Sequence, residues 1–369
     1  MKLETTREAL LKALQLATGV VERRQTLPVL ANLLVVAEAG VLTLTGTDLE
    51  VEIQVAVENG VDIKQDGRAT LPARKLMDIW RSLPEDAAVS ITVDGNKSTV
   101  RSGRSRFTLA TLPAADFPSV EGGDALVELT LQQPQLRRLI EQVGFSMAQQ
   151  DVRYFLNGML LEVDGDVVRT VATDGHRLAM CTLSQGGSAS AGVTQAIVPR
   201  KGVGELARLV SDTEELVQLS IGKGHLRASQ GEYSLTTKLV DGKFPEYRKV
   251  VPTNADQTLV GDRESLRHAF QRAAILSNEK YRGVRLQLDA DQLTIQANNP
   301  EQEEAEEVVG VDYSGNQIEI GFNVSYLQDI MAAIDTDSVR ISLSDASSSA
   351  LIEGDGADDA LYVVMPMRL

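Results

Sequence analysis

A single cysteine, Cys181, leaves no pair to form a disulfide and too few thiols for a cysteine zinc site. The three histidines, His176, His225 and His268, lie too far apart to form a spaced metal motif, so neither metal nor cofactor is expected. Aromatic residues make up 4% of the chain, so aliphatic side chains must fill its cores. No apolar run approaches the roughly 20 residues needed to span a bilayer. The opening Met1-Lys2-Leu3-Glu4-Thr5 lacks the apolar stretch and small-residue cleavage site of a secretory leader. A cytoplasmic protein without membrane contact is expected. Catalytic signatures are missing as well: there is no Gly-x-Ser-x-Gly elbow, no phosphate-binding glycine loop and no paired acidic metal motif. Asp174 and His176 lie close together, but such a pair on a strand turn reads as a structural or binding contact rather than catalysis.

Positive charge is also in deficit, with 36 Lys and Arg against 52 Asp and Glu and a net charge of -16. Taken as a total, this argues against nucleic acid, because phosphate binding needs a positive surface. The distribution of the charge points the other way, once the chain is divided into its repeats.

Markers recur in the same order with a period of about 125 residues. A basic helix start reads Leu71-Pro72-Ala73-Arg74-Lys75 and then Val198-Pro199-Arg200-Lys201. A turn after a strand reads Gly46-Thr47-Asp48, Ala172-Thr173-Asp174 and Asn298-Asn299-Pro300. Each unit closes on Asp116-Phe117-Pro118, Lys243-Phe244-Pro245 or Val364-Met365-Pro366. Three domains are therefore expected, over residues 1–121, 127–248 and 252–369, joined by linkers at 121–124 and 251–254. Each opens on a helix. Thr5 with Glu8 reads as a capping box ahead of Leu10, Leu14 and Ala17. Pro134 suits a first turn ahead of Leu136, Ile140 and Val143, and Asp262 can cap Leu266, Phe270 and Ala273. Strands are expected at 27–36, 156–163 and 284–288, and second helices at 73–83, 201–210 and 324–334. Residues 184–190 read as a loop. Most of the remainder alternates as half-buried strand, as in Val89-Ser90-Ile91-Thr92-Val93. The fold class is α+β, each domain being two helices packed on antiparallel sheet.

Over the six expected helices the charge sums to about +6, which leaves about -22 for the rest of the chain; exposed helix faces are thus mostly basic while strand edges and loops are acidic. A basic helix lining within an acidic exterior suits a ring around DNA, with phosphates met without reading bases. A chain of three units is open-ended. Arg101, Arg104 and Arg106 beside Phe107 make a basic patch late in the first unit, and Glu301-Gln302-Glu303-Glu304-Ala305-Glu306-Glu307 makes an acidic one in the last. Two chains arranged head to tail would join these patches twice and close the ring. An acidic adaptor that binds peptides but never touches DNA remains the alternative.

Several longer stretches carry a family resemblance: Gln150-Asp151-Val152-Arg153-Tyr154, Ala172-Thr173-Asp174-Gly175-His176-Arg177-Leu178, Ser277-Asn278-Glu279-Lys280-Tyr281-Arg282-Gly283, Asn298–Glu307, and the ending Tyr362-Val363-Val364-Met365-Pro366-Met367-Arg368-Leu369. With them the whole chain resembles the beta subunits of bacterial DNA polymerase III, the beta sliding clamps. The resemblance implies three DNA-clamp domains forming half of a closed ring, a homodimer around double-stranded DNA, and a clamp loader that opens and closes it. It also implies that DNA polymerases and repair proteins dock through short linear peptides and gain processivity, while polymerase activity belongs to the holoenzyme.

By the same resemblance the peptide pocket takes Leu156, Thr173, Gly175, His176, Arg177 and Leu178, then Pro245 and Val250. It also takes Asn323, Tyr326 and Ser349, and the tail Val363, Val364, Met365, Pro366, Met367 and Arg368. Its Met and Val residues make an adaptable apolar slot, and its few polar groups fix orientation. A pocket shared among partners suits about micromolar affinity. DNA contacts fall on Arg24, Arg74, Gln150, Tyr154, Phe155, Arg200 and Lys201. Phe155 stands where many relatives carry Tyr, so a hydroxyl is lost while the ring can still stack. Lys249 stands where a relative has Arg and lacks the planar fork. The dimer joint takes Lys75, Arg104, Arg106 and Phe107 on one side. Ile275, Leu276, Glu301, Glu303, Glu304 and Glu307 form the other.

Overall fold

The computed structural model describes residues 1–22, 27–120, 123–184, 192–211 and 213–368. The chain groups into two compact units, Met1–Pro134 with Lys201–Leu239, and Gln135–Arg200 with Val240–Leu369, so the middle repeat contributes to both.

The first unit holds two antiparallel sheets. One has five strands in the order Val61–Gln65, Lys2–Thr6, Ala88–Asp94, Lys97–Ser102, Ser105–Ala110. The other has eight: Ala125–Gln132, Leu216–Gly222, His225–Gln230, Tyr233–Lys238, Val51–Val57, Val41–Thr47, Asn32–Glu38, Gly67–Pro72. Within it the last strand of the second repeat pairs with the first repeat, Tyr233 opposite Val55 and Thr237 opposite Val51. The second unit repeats the device. Its eight strands run Thr194–Pro199, Gly158–Asp164, Val167–Thr173, Arg177–Ser184, Ala360–Val364, Ala350–Gly354, Ser338–Leu343, Gln257–Asp262. There the last strand of the third repeat pairs with the second, Val364 opposite Arg177 and Ala360 opposite Cys181. A four-stranded sheet, Glu304–Gly310, Gln292–Asn298, Gly283–Asp289, Ile318–Asn323, completes the unit.

The described residues contain six α-helices: α1 (Arg7–Gly19), α2 (Ala73–Ser82), α3 (Gln133–Gly144), α4 (Arg200–Leu209), α5 (Arg263–Ala273) and α6 (Val324–Ala333). Helix α1 buries Leu10, Ala13, Leu14 and Ala17, and α5 buries Leu266, Ala269, Phe270 and Ala273, the same one-stripe spacing. Asp262 caps α5 as expected, accepting from the Ser265 amide at 2.8 Å. At α1 the cap is Thr6, which accepts from the Ala9 amide, not Thr5. Thr5 belongs to a strand and donates to the Gly60 carbonyl at 2.8 Å. Each repeat thus opens on a strand that runs straight into its helix, contrary to the expected helical start. The expected strand at 27–36 begins instead with a 3-10 turn, Pro28–Ala31, and Leu156 likewise lies in the 3-10 turn Tyr154–Asn157. Of the expected loop at 184–190, residues 185–190 lie outside the described residues.

The strand-end turns match between repeats. Thr47 donates to the Val51 carbonyl at 2.9 Å and Thr173 to the Arg177 carbonyl at 2.6 Å. Asp48 accepts from the amides of Glu50 and Val51, and Asp174 from those of His176 and Arg177. The residue after each Asp is left-handed, Leu49 at φ 79° and Gly175 at φ 90°. At Gly175 a side chain would also meet the Arg153 guanidinium, so glycine serves both conformation and close approach there.

Candidate functional sites

A largely apolar cavity of about 270 Å³ opens in the second unit. Its lining comes from four places: the 3-10 turn with Arg153, Phe155 and Leu156; the Thr173–Leu178 turn; the Pro245–Val250 segment with Tyr247; and Val363 and Met365 after the last strand. Beneath it, Leu160, Val171, Leu178, Ile197, Phe244, Tyr247 and Val363 form one buried cluster. Two arginines frame it. Arg177 donates to Asp174 at 3.1 Å, to Asp329 at 2.5 Å and to the Phe145 carbonyl at 2.8 Å. Its guanidinium also lies over the rings of Tyr326 and Phe145, at 4.5 and 5.3 Å. Arg153 donates to both oxygens of Asp151 and holds that carboxyl down at about 2, well below its ordinary range.

Nine of the expected pocket residues line this cavity: Leu156, Thr173, Gly175, Arg177, Leu178, Pro245, Val250, Val363 and Met365. Val364 does not, because alternation along the strand turns it to the opposite face, where it is buried. Asn323 caps α6, its side-chain oxygen accepting from the Ser325 amide, and Tyr326 supports Arg177 from below. Met367, whose amide donates to the Gly321 carbonyl, and Arg368 line a neighbouring cavity of about 450 Å³ with Tyr281 and Asn298. His176, Ser349 and Pro366 lie outside both linings. Arg153 and Tyr247 are lining residues that the sequence reading missed, and Phe155, expected at DNA, faces the cavity. Lys249 ion-pairs with Glu246 at 3.8 Å.

Of the expected DNA contacts, Arg24 lies outside the described residues. Arg74 and Arg200 are exposed at helix starts, yet each donates to a carbonyl, Val21 at 3.1 Å and Met147 at 3.0 Å. Lys201 ion-pairs with Asp48 and with Glu22. Burial opposes its charge, but these carboxylates outweigh burial and raise its affinity for the proton. Part of the helix-borne positive charge therefore fixes the fold. Gln150, in a left-handed conformation at φ 55°, and Tyr154 are exposed on the loop after α3.

Of the expected joint residues, Arg106, Phe107, Glu304 and Glu307 fall on outer strands of sheets. Arg106 and Phe107 lie on Ser105–Ala110, the outer strand of the five-stranded sheet, and Arg104 stands just before it. Glu304 and Glu307 lie on Glu304–Gly310, the outer strand of the four-stranded sheet. Glu307 takes two hydrogen bonds from Arg272, at 2.7 and 2.8 Å. Glu301 and Glu303 occupy the preceding turn, Ile275 and Leu276 the 3-10 turn after α5, and Lys75 is exposed on α2. Ile275 is 75% exposed and Val308 56%, an apolar surface beside the acidic edge. Cys181 is buried, its thiol pushed up to about 12 mainly by burial, and so is inert.

Comparison with known proteins covers the whole chain. Family models of the DNA polymerase III beta subunit match by their N-terminal domain at residues 1–121, central domain at 130–246 and C-terminal domain at 248–368. A beta sliding clamp of Pseudomonas putida is 60% identical over 365 residues, 98% of each chain. That of Escherichia coli strain K12 is 52% identical over 369 residues, the full length of both. Among solved structures, a sliding clamp of Pseudomonas aeruginosa bound to griselimycin superposes with a TM-score of 0.96 at 58% identity, covering 100% of both chains.

Proposed function

The chain belongs to the DNA polymerase III beta subunit family, the beta sliding clamps, and from that membership we propose that two copies close head to tail into a ring around duplex DNA. As a sliding clamp it serves DNA replication by tethering polymerases to DNA, a processivity factor without an active site of its own. One observation supports the ring. Within the chain, the last strand of the second repeat pairs with the strand after the Thr47-Asp48 turn, and the last strand of the third with the strand after the Thr173-Asp174 turn. A third application would pair the last strand of the first repeat, Ser105–Ala110, with the strand after the Asn298-Asn299 turn, Glu304–Gly310. Those two strands lie in different sheets, and among the described residues each is an outer strand. A second copy supplies the missing neighbour at each end, setting Arg104 and Arg106 against the glutamates and covering Ile275 and Val308.

In this reading a clamp loader opens the ring with ATP. DNA is held without sequence preference through Arg24, Arg74, Gln150, Tyr154, Arg200 and Lys201. Polymerases and repair proteins insert short peptides into the cavity of the second unit. A Pseudomonas aeruginosa relative is bound to griselimycin, and in this reading the same cavity of this chain takes that compound. The proposed place of work is the cytoplasm, with the DNA that a sliding clamp serves. Among the described residues no helix is long and apolar enough to cross a membrane. The test is retention on nicked circular DNA, loaded with clamp loader and ATP and followed by gel filtration before and after linearisation. A ring stays on the circle and is lost from the cut form. Equal retention on both, or on neither with an active loader, would refute encirclement, and the latter would favour a peptide-binding adaptor.

A further inference from the structure

Glu162 is the centre of a buried polar cluster beneath the cavity. It lies mid-strand, opposite Arg169 on one neighbouring strand and Gln195 on the other, and its side chain is 0% exposed. A buried carboxylate is costly unless its lone pairs are filled. Here Arg169 donates at 2.5 Å, Gln195 at 2.7 Å, Arg248 at 2.8 Å and the Tyr247 hydroxyl at 2.9 Å. Burial pushes the carboxyl up, but hydrogen bonds from Gln195 and Tyr247, the nearby Arg248 charge and the Arg169 bond outweigh it and hold Glu162 ionised.

Two of the four donors come from the Tyr247–Lys249 turn, whose neighbours Pro245 and Val250 line the cavity with Tyr247 itself. Backbone bonds of this turn stay within it: Tyr247 to Pro245, Lys249 to Glu246 and Val250 to Tyr247. Among the described residues, its polar tie to the sheet therefore runs through side chains, above all the Tyr247 hydroxyl. The ring of the same tyrosine joins the apolar cluster under the cavity. One side chain thus presents an apolar face to the ligand and a polar end to Glu162.

We propose that Glu162 is a positioning residue for peptide binding, holding the Pro245–Val250 wall in place through Tyr247 and Arg248. The inference rests on the cavity being the peptide site. Glu162 touches no ligand; it acts by removing the freedom of a wall that the ligand would otherwise have to order.

The test is a double-mutant cycle on the full-length chain. Its probes are griselimycin and a fluorescein-labelled hexapeptide carrying two leucines and one phenylalanine. Glu162→Gln keeps the shape but loses charge and an acceptor. Tyr247→Phe keeps the ring and loses the anchor. Each is expected to weaken binding about three- to tenfold, as for one lost hydrogen bond. The double variant should bind no more weakly than the worse single variant, because both break one linkage. Met365→Ala, in the separate lining segment after the last strand, should instead add to either. Additive losses for Glu162→Gln and Tyr247→Phe, or full affinity in Tyr247→Phe, would overturn the proposal. Should Glu162→Gln fail to fold, the Tyr247→Phe affinity alone decides. A parent chain that binds neither probe would bring down the cavity reading itself, an outcome distinct from a parent that binds beside unaffected variants.

Discussion

Replacing Arg177 by lysine tests how the cavity is built. The guanidinium is 10% exposed on its side-chain surface and spans three acceptors and two rings. A lysine keeps the charge but, with one nitrogen, cannot reach Asp174, Asp329 and the Phe145 carbonyl together. Asp329 is 45% exposed, so water replaces much of what that pair contributes. The Phe145 carbonyl loses its donor, which costs about 1–2 kcal/mol where water cannot enter. Losing the stacked geometry costs about 0.5–1 kcal/mol more. Arg177→Lys should therefore destabilise the second unit by about 2 kcal/mol, and Arg177→Ala by about 3 kcal/mol, since the alanine leaves Asp174 without its cation. A chain of several domains need not unfold in one step, so amide hydrogen exchange of Arg177–Ser184 and α6 is the better assay. Exchange there should speed up about 30-fold in the lysine variant, at about tenfold per 1.4 kcal/mol. Griselimycin affinity should fall in parallel. Unchanged exchange and affinity in Arg177→Lys would refute the claim that the fork, rather than the charge, organises the cavity.

Three further outcomes follow from the geometry. Gly46→Ala installs the residue that the second repeat carries as Ala172, but a methyl at 46 overlaps the Ala17 carbonyl of α1; denaturant titration should show a loss of about 2–3 kcal/mol in the first unit. Arg104→Glu with Arg106→Glu in one chain, and Glu301→Lys with Glu304→Lys in another, should each sediment as monomer, whereas an equal mixture should dimerise because both proposed joints again oppose unlike charges. The Arg153 side chain and amide hold the Asp151 carboxyl at about 2 against an ordinary 3.8. Ionised Asp151 therefore favours the folded turn at all pH above about 4, and this preference fades as pH falls towards 2. Relative to the intrinsic rate at each pH, amide protection at Arg153 should fall over that window, and Asp151→Asn should show the lower protection already at neutral pH.

What was legible in the sequence was what repeats locally. The Thr-Asp turns, the Pro-led second helices and the buried stripes of α1, α3 and α5 each depend on neighbours a few residues apart, and all stand where they were expected. Thr5 was misassigned because two threonines stand together before the helix. Only the pairing of Thr5 with Gly60, a contact 55 residues away, decides which of them caps. The cavity was half legible. Residues of the Thr173–Leu178 turn and the tail carry strong family signals; Arg153, although it lies in the family stretch Gln150–Tyr154, and Tyr247 enter from separate loops. Their role follows from Gly175, which lets Arg153 approach, and from Glu162, which anchors Tyr247. Nothing in local pattern distinguishes Val363 from Val364; the strand's alternation does, once its pairing with Arg177–Ser184 is known.

The distribution of charge bears on the proposed ring in a way the net value hides. Arg74, Arg200 and Lys201 were expected to serve DNA, yet each is already engaged by a carbonyl or a carboxylate. Such anchoring fixes a cation in place before any phosphate arrives, so less side-chain freedom is lost on contact. It also weakens the field each cation presents, and a net -16 surface repels DNA at long range. A clamp that gripped phosphates tightly would not slide. In the proposed ring, weak, pre-positioned contacts and closure by the sheet edges would divide the labour: topology would supply retention, while the cations would need only to orient the duplex. On this argument, removing single cations should alter loading more than it alters the lifetime on circular DNA, whereas opening the proposed joint at Ser105–Ala110 and Glu304–Gly310 should abolish that lifetime.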